Sequence, residues 1–340
     1  MGWEKGLCVG NRKIGESRPT FIIAEAGSNH DGSYEKACKL MRMAKWAGAD
    51  AIKFQSFRAE TLVNARELPE AFEKLKQYEL PSEWIKGLAR EARGIGIIFL
   101  STPFDETAVD GLQAVKMAAF KVASGDLTYH ELVRKVAGFG KPIFLSTGMA
   151  TIPEIHRTLQ VIRREGNAKV VVMHCVSNYP ATLAEQNLRA ITLLRERFNC
   201  LVGFSDHTLG DITPLGAVAL GACVLEKHFT LRRRSAGLDH PHSTEPEELR
   251  LLVDKIRSME LALGKKSKGP QKSEIPRLFR ARRGLYARYD IPKETILEKG
   301  MAIALRPQKG LCASLMEKIS RKEAAVAIPA LSAITSRAIN

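Results

Sequence analysis

Eight times along the chain the hydrophobic positions gather into a short unbroken run that ends in a polar or ionisable residue, and helix-like stretches separate the runs. The runs cover 21–26, 51–54, 97–100, 119–122, 142–145, 169–173, 201–204 and 222–225, and each is rich in Ile, Val, Phe, Leu or Ala. Unbroken rather than alternating hydrophobicity suits parallel strands buried on both faces. Strand and helix in eightfold alternation predict an α/β protein built on a (β/α)8 barrel. In that architecture catalytic groups stand at the C-terminal strand ends, so the polar residues closing each run form the candidate site.

Helix punctuation supports the alternation. Ser33 is placed to cap a helix running to Gly48, and Thr151 with Pro153 opens one whose apolar stripe includes Ile155, Leu159 and Ile162. Thr244, Pro246, Glu247 and Glu248 start another that stops before Gly264. Ahead of the first barrel strand, residues 8–14 around Gly10-Asn11 predict a small hairpin under the barrel. After Leu263 the sequence turns to GKKSKGPQKSEIP, a Lys, Ser, Gly and Pro tract that reads as a linker. Beyond it, short apolar runs at 285–287, 301–305 and 324–328 with turn residues between them predict a small β-rich module. The expected organisation is therefore a barrel domain with its hairpin over 1–264, a linker over 265–281 and the β-rich domain over 282–340.

Length agrees: 340 residues exceed a bare barrel of about 250 and leave room for a second domain. The longest apolar stretch, 214–225, is broken by glycines and too short to span a bilayer, and residues 1–12 lack the apolar centre of a signal peptide, so a soluble cytoplasmic protein is expected. Six scattered cysteines without a C-x-x-C pair predict reduced, structural thiols. A formal net charge of +15, with basic clusters at 232–234, 265–272 and 277–283, can attract nucleic acid or steer small anions. The basic segments lack interleaved aromatics that would stack bases, which weighs against nucleic acid. No G-x-G-x-x-G, phosphate-loop or nucleophile-elbow pattern is present, which removes support for nucleotide-dependent or serine-hydrolase chemistry.

The strand ends carry the chemistry. Lys53 and Lys121 would project into the barrel mouth, where a buried lysine needs an anion. Two readings are open: a phosphate or carboxylate ligand cradled with the hydroxyls of Thr102, Ser124, Ser146 and Ser205, or pairing with barrel carboxylates such as Glu25 or Glu226. His207 and His228 close the seventh and eighth runs, neighbours in a closed barrel, and two imidazoles with open positions describe a labile divalent-metal site. Glu25 and Asp239 remain as acid/base or orienting carboxylates, while His30, His174, His240 and His242 read as loop histidines, a class that is often merely solvated.

The motifs IAEAGSNH (23–30), KFQ (53–55), STPFD (101–105), KVASGD (121–126), STGM (146–149), HCVSNYP (174–180), GFSDHT (203–208) and EKHF (226–229) together resemble the sialic acid synthase family, which includes N-acetylneuraminate, legionaminate and pseudaminate synthases and spore-coat polysaccharide relatives. The tail motifs RGLYA (283–287), DIP (290–292) and LRP (305–307) resemble that family's antifreeze-like (SAF, β-clip) domain. The resemblance implies a transferase that condenses phosphoenolpyruvate with the open-chain aldehyde of an N-acylated mannosamine-type sugar, giving a nine-carbon 2-keto-3-deoxy acid and phosphate. It implies that Lys53, Thr102, Lys121, Ser124, Ser146 and Ser205 hold phosphoenolpyruvate, and that His207 and His228 bind Mn²⁺, with Mg²⁺ or Co²⁺ as alternatives. Glu25 would handle a proton or position water, Gln55 and Tyr179 would contact substrate, and Asp239 would meet a sugar hydroxyl; His242 departs from the family pattern, standing in a loop where a small residue is usual, and would alter sugar contacts. It also implies a domain-swapped homodimer in which Arg306 reaches the N-acyl group of a sugar in the partner's barrel. Two rivals stand beside it: a barrel enzyme joining phosphoenolpyruvate to a phosphorylated aldose, which needs a second basic pocket, and a non-catalytic basic module for polyanions or a polysaccharide-assembly complex.

Overall fold

A computed structural model describes residues 2–340, which divide into two units, one ending at Gly264 and the other spanning Lys265–Asn340. The first opens with the hairpin β1 (Gly6–Val9) and β2 (Arg12–Gly15), paired antiparallel about Gly10-Asn11. Its alternation buries Leu7, Val9 and Ile14 in the barrel's own hydrophobic core. The eight parallel strands follow: β3 (Phe21–Gly27), β4 (Ala51–Ser56), β5 (Ile98–Pro103), β6 (Phe120–Val122), β7 (Ile143–Ser146), β8 (Val170–Cys175), β9 (Leu201–Asp206) and β10 (Val224–His228). Each overlaps one of the apolar runs. Their order is β5-β4-β3-β10-β9-β8-β7-β6, with β5 and β6 packed side by side so that the sheet nearly closes into the (β/α)8 barrel.

Helices sheath the strands where their caps predict. Ser33 accepts from the Lys36 amide at the start of Tyr34–Trp46, and Thr151 forms a capping box with Glu154 ahead of Ile152–Arg164. Ile155, Leu159 and Ile162 are buried as the stripe requires. The helix Pro246–Leu263 starts one residue later than Thr244 suggests: Glu245 is the cap, closing a box with Glu248.

Alternation along the strands sorts polar residues to two sides. Glu226 and His228 of β10 line the barrel mouth, while Lys227 between them reaches Asp206 at 2.5 Å and the Thr208 carbonyl at 2.8 Å. Asp206 also accepts from the Thr208 amide and hydroxyl and from Thr213. The register places Lys227 opposite Asp206, so this buried pair ties together β9 and β10 one residue before His207 and His228. Gly203 has no room for a side chain, since a Cβ there would run into Met173 of β8 and crowd the Val224 carbonyl.

The second unit holds the antiparallel pair β11 (Gly284–Ala287) and β12 (Ala302–Leu305) over a core of Leu285, Ala287, Ile291, Leu297, Ile319, Ala324, Ile328 and Ile334. The run at 324–328 contributes isolated bridges, Ile291 to Ile328 and Ala324 to Ile339, rather than a continuous strand. The tract that reads as a linker from sequence forms the helix Ile275–Ala281 in its second half. All six cysteines are free thiols. Among the described residues no helix is long and apolar enough to cross a membrane.

Replacing Lys227 by Met strands the Asp206 carboxylate in the protein interior, so Lys227→Met is expected to lose about 3–5 kcal/mol of stability. Urea unfolding of the variant measures this directly; a loss under about 1 kcal/mol, the range of an exposed pair, would show that the buried pair does not hold these strand ends.

Candidate active site

The C-terminal mouth of the barrel encloses a cavity of about 560 Å³. Into it the strand ends bring Glu25 from β3, Lys53 and Gln55 from β4, Thr102 from β5, Lys121 from β6, Ser146 from β7, Ser205 from β9, and Glu226 and His228 from β10. Loops add Ser124, Tyr179, His207 and Asp239. Of the candidates named from sequence, Arg306 lies in the second unit, exposed just after β12. His242, named from sequence for its bearing on sugar contacts, lines the cavity too, and Phe104, Met149 and Ser177 join it. Their positions beyond strand ends carry no periodic signal that would single them out in the sequence.

Register sets the floor of the site. Lys53 stands opposite Glu25 across β3 and β4, and Glu226 stands opposite Ser205 across β9 and β10. Lys53 Nζ lies 2.7 Å from Glu25 Oε2 and 3.8 Å from Glu226 Oε2, while Lys121 Nζ is 3.3 Å from Glu226 Oε1. Thr102 accepts from Lys53 at 2.8 Å, Ser205 donates to Glu226 at 2.9 Å, and Gln55 donates to Glu25 at 2.9 Å. The lysines do pair with barrel carboxylates, as one of the two sequence readings holds. That pairing leaves the anion reading intact, because the two carboxylates are unequal.

Burial raises the Glu25 carboxyl, Lys53 pulls it back, and the nearby Glu226 charge raises it again, with the balance at about 7 against an ordinary 4.5. Burial also works to raise Glu226, but Lys121, Lys53 and the Ser205 hydroxyl outweigh it and hold it at about 2. For Lys53, burial favours the neutral amine, yet Glu226 and Glu25 overcome it and keep the ammonium charged. Once Glu25 takes up a proton, two ammonium groups face one carboxylate and a positive charge is left uncompensated. Around it the Ser146 hydroxyl is buried without a partner, and the Ser124 hydroxyl lies 3.0 Å from the Gly148 amide. A small anion supplies what these groups lack.

On another wall, rings crowd together. Tyr179 packs against His207 with centroids 4.2 Å apart, His207 lies 5.5 Å from His228, and His228 lies 4.7 Å from His242. The Nδ1 of His207 donates to the Val176 carbonyl at 2.6 Å, which fixes the tautomer and leaves Nε2 as the open nitrogen. Burial lowers the pKa of His207, His228 and His242, and for His228 the neighbouring His207 and His242 lower it further, so the imidazoles are held neutral, the form that binds metals. His228 Nδ1 and His242 Nε2 are buried with no hydrogen-bond partner. Unpartnered buried nitrogens are costly, and neutral imidazoles beside a carboxylate are a donor set that fits a divalent cation.

The expectation that loop histidines are solvated fails here. His30 and His240 are fully buried and His242 is nearly so. His240 lies within 3.1 Å of both Asp31 oxygens and 2.6 Å from the Thr230 hydroxyl, so it fastens the loop after β10 to the loop after β3. His174, half-buried, pairs with the Gln186 carbonyl at 2.7 Å. Asp239 reaches β3 because Gly27, at φ +51°, offers no Cβ to block it; its Oδ2 accepts from the Ser28 amide at 3.0 Å and hydroxyl at 2.9 Å.

Comparison with known proteins places this geometry. A model described as the NeuB family matches residues 40–268. An uncharacterised protein of Methanocaldococcus jannaschii is 44% identical over 89% of this chain and 89% of its own length. The N,N'-diacetyllegionaminic acid synthase of Legionella pneumophila is 39% identical over 91% of this chain and 93% of its own. Among solved structures, an N-acetylneuraminic acid synthetase from Leptospira borgpetersenii, crystallised with citrate, superposes with a TM-score of 0.77 at 34% identity, covering 82% of this chain and 96% of the other.

Glu25 is expected to keep its proton up to about pH 7. Its folded pKa lies above its unfolded one, so its contribution to stability is full below about pH 4.5 and fades as pH rises through about 7. Infrared difference titration should show a protonated carboxyl band that disappears near pH 7 and is missing in Glu25→Gln; disappearance between pH 4 and 5 would contradict the assignment.

Proposed function

Because the chain belongs to the NeuB family, we propose that it makes a nonulosonic acid by joining phosphoenolpyruvate to the open-chain aldehyde of an N-acylated mannosamine-type sugar, with release of phosphate. The observation that carries this reading is the floor of the cavity, where Lys53 and Lys121 share Glu226 beneath the hydroxyls of Thr102, Ser124, Ser146 and Ser205. A carboxylate and a phosphate on one three-carbon frame match two separated ammonium groups ringed by hydroxyl donors.

In this mechanism C3 of phosphoenolpyruvate attacks the aldehyde carbon, the new alkoxide takes a proton, water adds at C2, and phosphate leaves with cleavage of its bond to carbon. Lys53 and Lys121 orient the anion and stabilise the negative charge that the departing phosphate carries away. Glu25, poised near neutrality and steadied by Gln55, holds the proton the reaction moves. Gln55 and Tyr179 contact the acceptor, and Asp239 stands at the cavity edge held by Ser28. His207 and His228 are the imidazoles proposed to hold a divalent ion, Mn²⁺ first, with Mg²⁺ or Co²⁺ as alternatives, and its chemistry would be Lewis-acid polarisation of the aldehyde oxygen. The neutral state of both rings and the open Nε2 of His207 support that role. The enzyme is proposed to act in the cytoplasm as a domain-swapped homodimer, with the tail over 282–340, linked through 265–281 to the barrel domain of 1–264, acting as an antifreeze-like domain whose Arg306 meets the N-acyl group.

Phosphate release from phosphoenolpyruvate with Mn²⁺ tests the reading, using N-acetylmannosamine, its 2,4-diacetamido-6-deoxy analogue, the corresponding altrose isomer and an aldose phosphate, with products weighed by mass spectrometry. A nine-carbon keto acid formed only with an amino sugar is expected. Lys121→Ala and His228→Ala should each lower turnover by about 100-fold or more while the barrel stays folded. Turnover with the aldose phosphate alone would contradict the proposal.

A further inference from the structure

The crowded wall of the cavity holds more donors than the two histidines of the proposed function use. His228, Asp239 and His242 each offer one ligand atom, and these atoms all lie within 4.8 Å of one another. His207 is not part of this mutual group. The state of one ring nitrogen singles out His242. Its side chain is only 6% exposed, its Nε2 has no hydrogen-bond partner, and that nitrogen lies 3.9 Å from Asp239 Oδ1, beyond hydrogen-bonding distance. Asp239 is likewise divided: Oδ2 is spent on Ser28, which leaves Oδ1 on the His242 side.

The local backbone explains how the sequence assembles this group. His228 ends β10, and the chain returns to the same wall through a short 3-10 turn, His240–His242, begun by Asp239. The turn is fastened from both ends. His240 bonds to Asp31 and Thr230, and Ser243 donates to the Asp239 carbonyl at 2.6 Å while accepting from Asn29 at 3.0 Å. Asn29 in turn donates to the Phe229 carbonyl at 2.9 Å. Asp239 and His242 are therefore presented by a braced loop, as a preorganised ligand set requires.

We propose that His242 is a metal ligand of this chain, and that it and Oδ1 of Asp239 join His228, the histidine they share with the His207–His228 pair, around one divalent cation. The inference deepens the synthase reading and rests on it for the cation's use, though not for the cation's binding. Imidazoles with one carboxylate suit first-row transition ions such as Fe²⁺, Co²⁺ or Zn²⁺ and also accept Mn²⁺, whereas Mg²⁺ and Ca²⁺ favour all-oxygen shells. Even with His207 as a fourth donor, a six-coordinate ion keeps positions open for oxygens of a substrate. On this account Asp239 serves the ion.

The test is Mn²⁺ binding to the full-length protein, stripped of metal and without substrates, by calorimetric titration and pulsed electron paramagnetic resonance. His242→Gln is expected to weaken Mn²⁺ at least about 10-fold, the lower end of what even an outer-shell partner costs, and to reduce the imidazole nitrogen coupling on the manganese. Asp239→Asn is expected to weaken binding by a similar factor with the nitrogen coupling unchanged. This second variant, with the nitrogen coupling of the wild type, carries the test if circular dichroism shows that His242→Gln does not fold. Unchanged affinity and unchanged nitrogen coupling in a folded His242→Gln variant would overturn the inference, as would wild-type protein that binds no Mn²⁺, Co²⁺ or Zn²⁺. Turnover of phosphoenolpyruvate by the wild type separates the two levels. An active enzyme with a metal site indifferent to His242 overturns this inference alone, whereas His242-dependent binding in a protein inactive with every sugar sustains it and overturns the synthase reading.

Discussion

Two lysines and two glutamates share the floor of the barrel mouth, and the rest of the site is arranged around their unequal charges. Burying four ionisable groups together is costly unless each finds a partner, and the register of the sheet supplies one: Glu25 lies beside Lys53, and Glu226 lies between Lys53 and Lys121. Because Glu226 is the better solvated by partners, it keeps its charge, and Glu25 is left near the point of taking up a proton. A site that can shed one negative charge at neutral pH can admit an anion without expelling a lysine. The same asymmetry provides a proton donor beside the place where the anion would lie.

The scaffold protects this arrangement by separating structural from chemical charges along single strands. On β10 the residues Glu226, Lys227 and His228 alternate sides, and Lys227 is committed to Asp206 while its neighbours face the cavity. The Asp206–Lys227 pair thus fixes β9 and β10 at the point where His207 and His228 leave them. Across the mouth, Gly27 lets Asp239 close on Ser28, and His240 ties the same loop to Asp31, so the wall that carries the imidazoles is as firmly placed as the floor.

The strands were legible because parallel barrel strands are buried on both faces and read as unbroken apolar runs; all eight lie where those runs lie. The floor residues were legible for a related reason, since Glu25, Lys53 and Lys121 stand inside or near the ends of such runs, where the strands open on the mouth. The pairing of Lys53 with Glu25 rather than with a ligand alone was not decidable, because it depends on strand order and register. The burial of His242 and His240 was hidden more deeply, although the sequence names His242 for its bearing on sugar contacts. They sit in a loop with no period, and their burial comes from contacts with Asp31, Thr230 and Tyr179, more than sixty residues away in two of its directions or only ten in the third. In the tail, the run at 324–328 looks like a strand but makes bridges only, because its partners Ile291 and Ile339 come from different segments.

On the proposed mechanism the floor binds an anion and takes up a proton on Glu25 when it does. Calorimetric titration of phosphoenolpyruvate near pH 7, in buffers of different ionisation enthalpy, counts protons exchanged on binding. Wild-type protein is expected to bind phosphoenolpyruvate and to take up a larger fraction of a proton than Glu25→Gln does under the same conditions. Equal proton counts in the two proteins, or no binding by the wild type, would contradict the account.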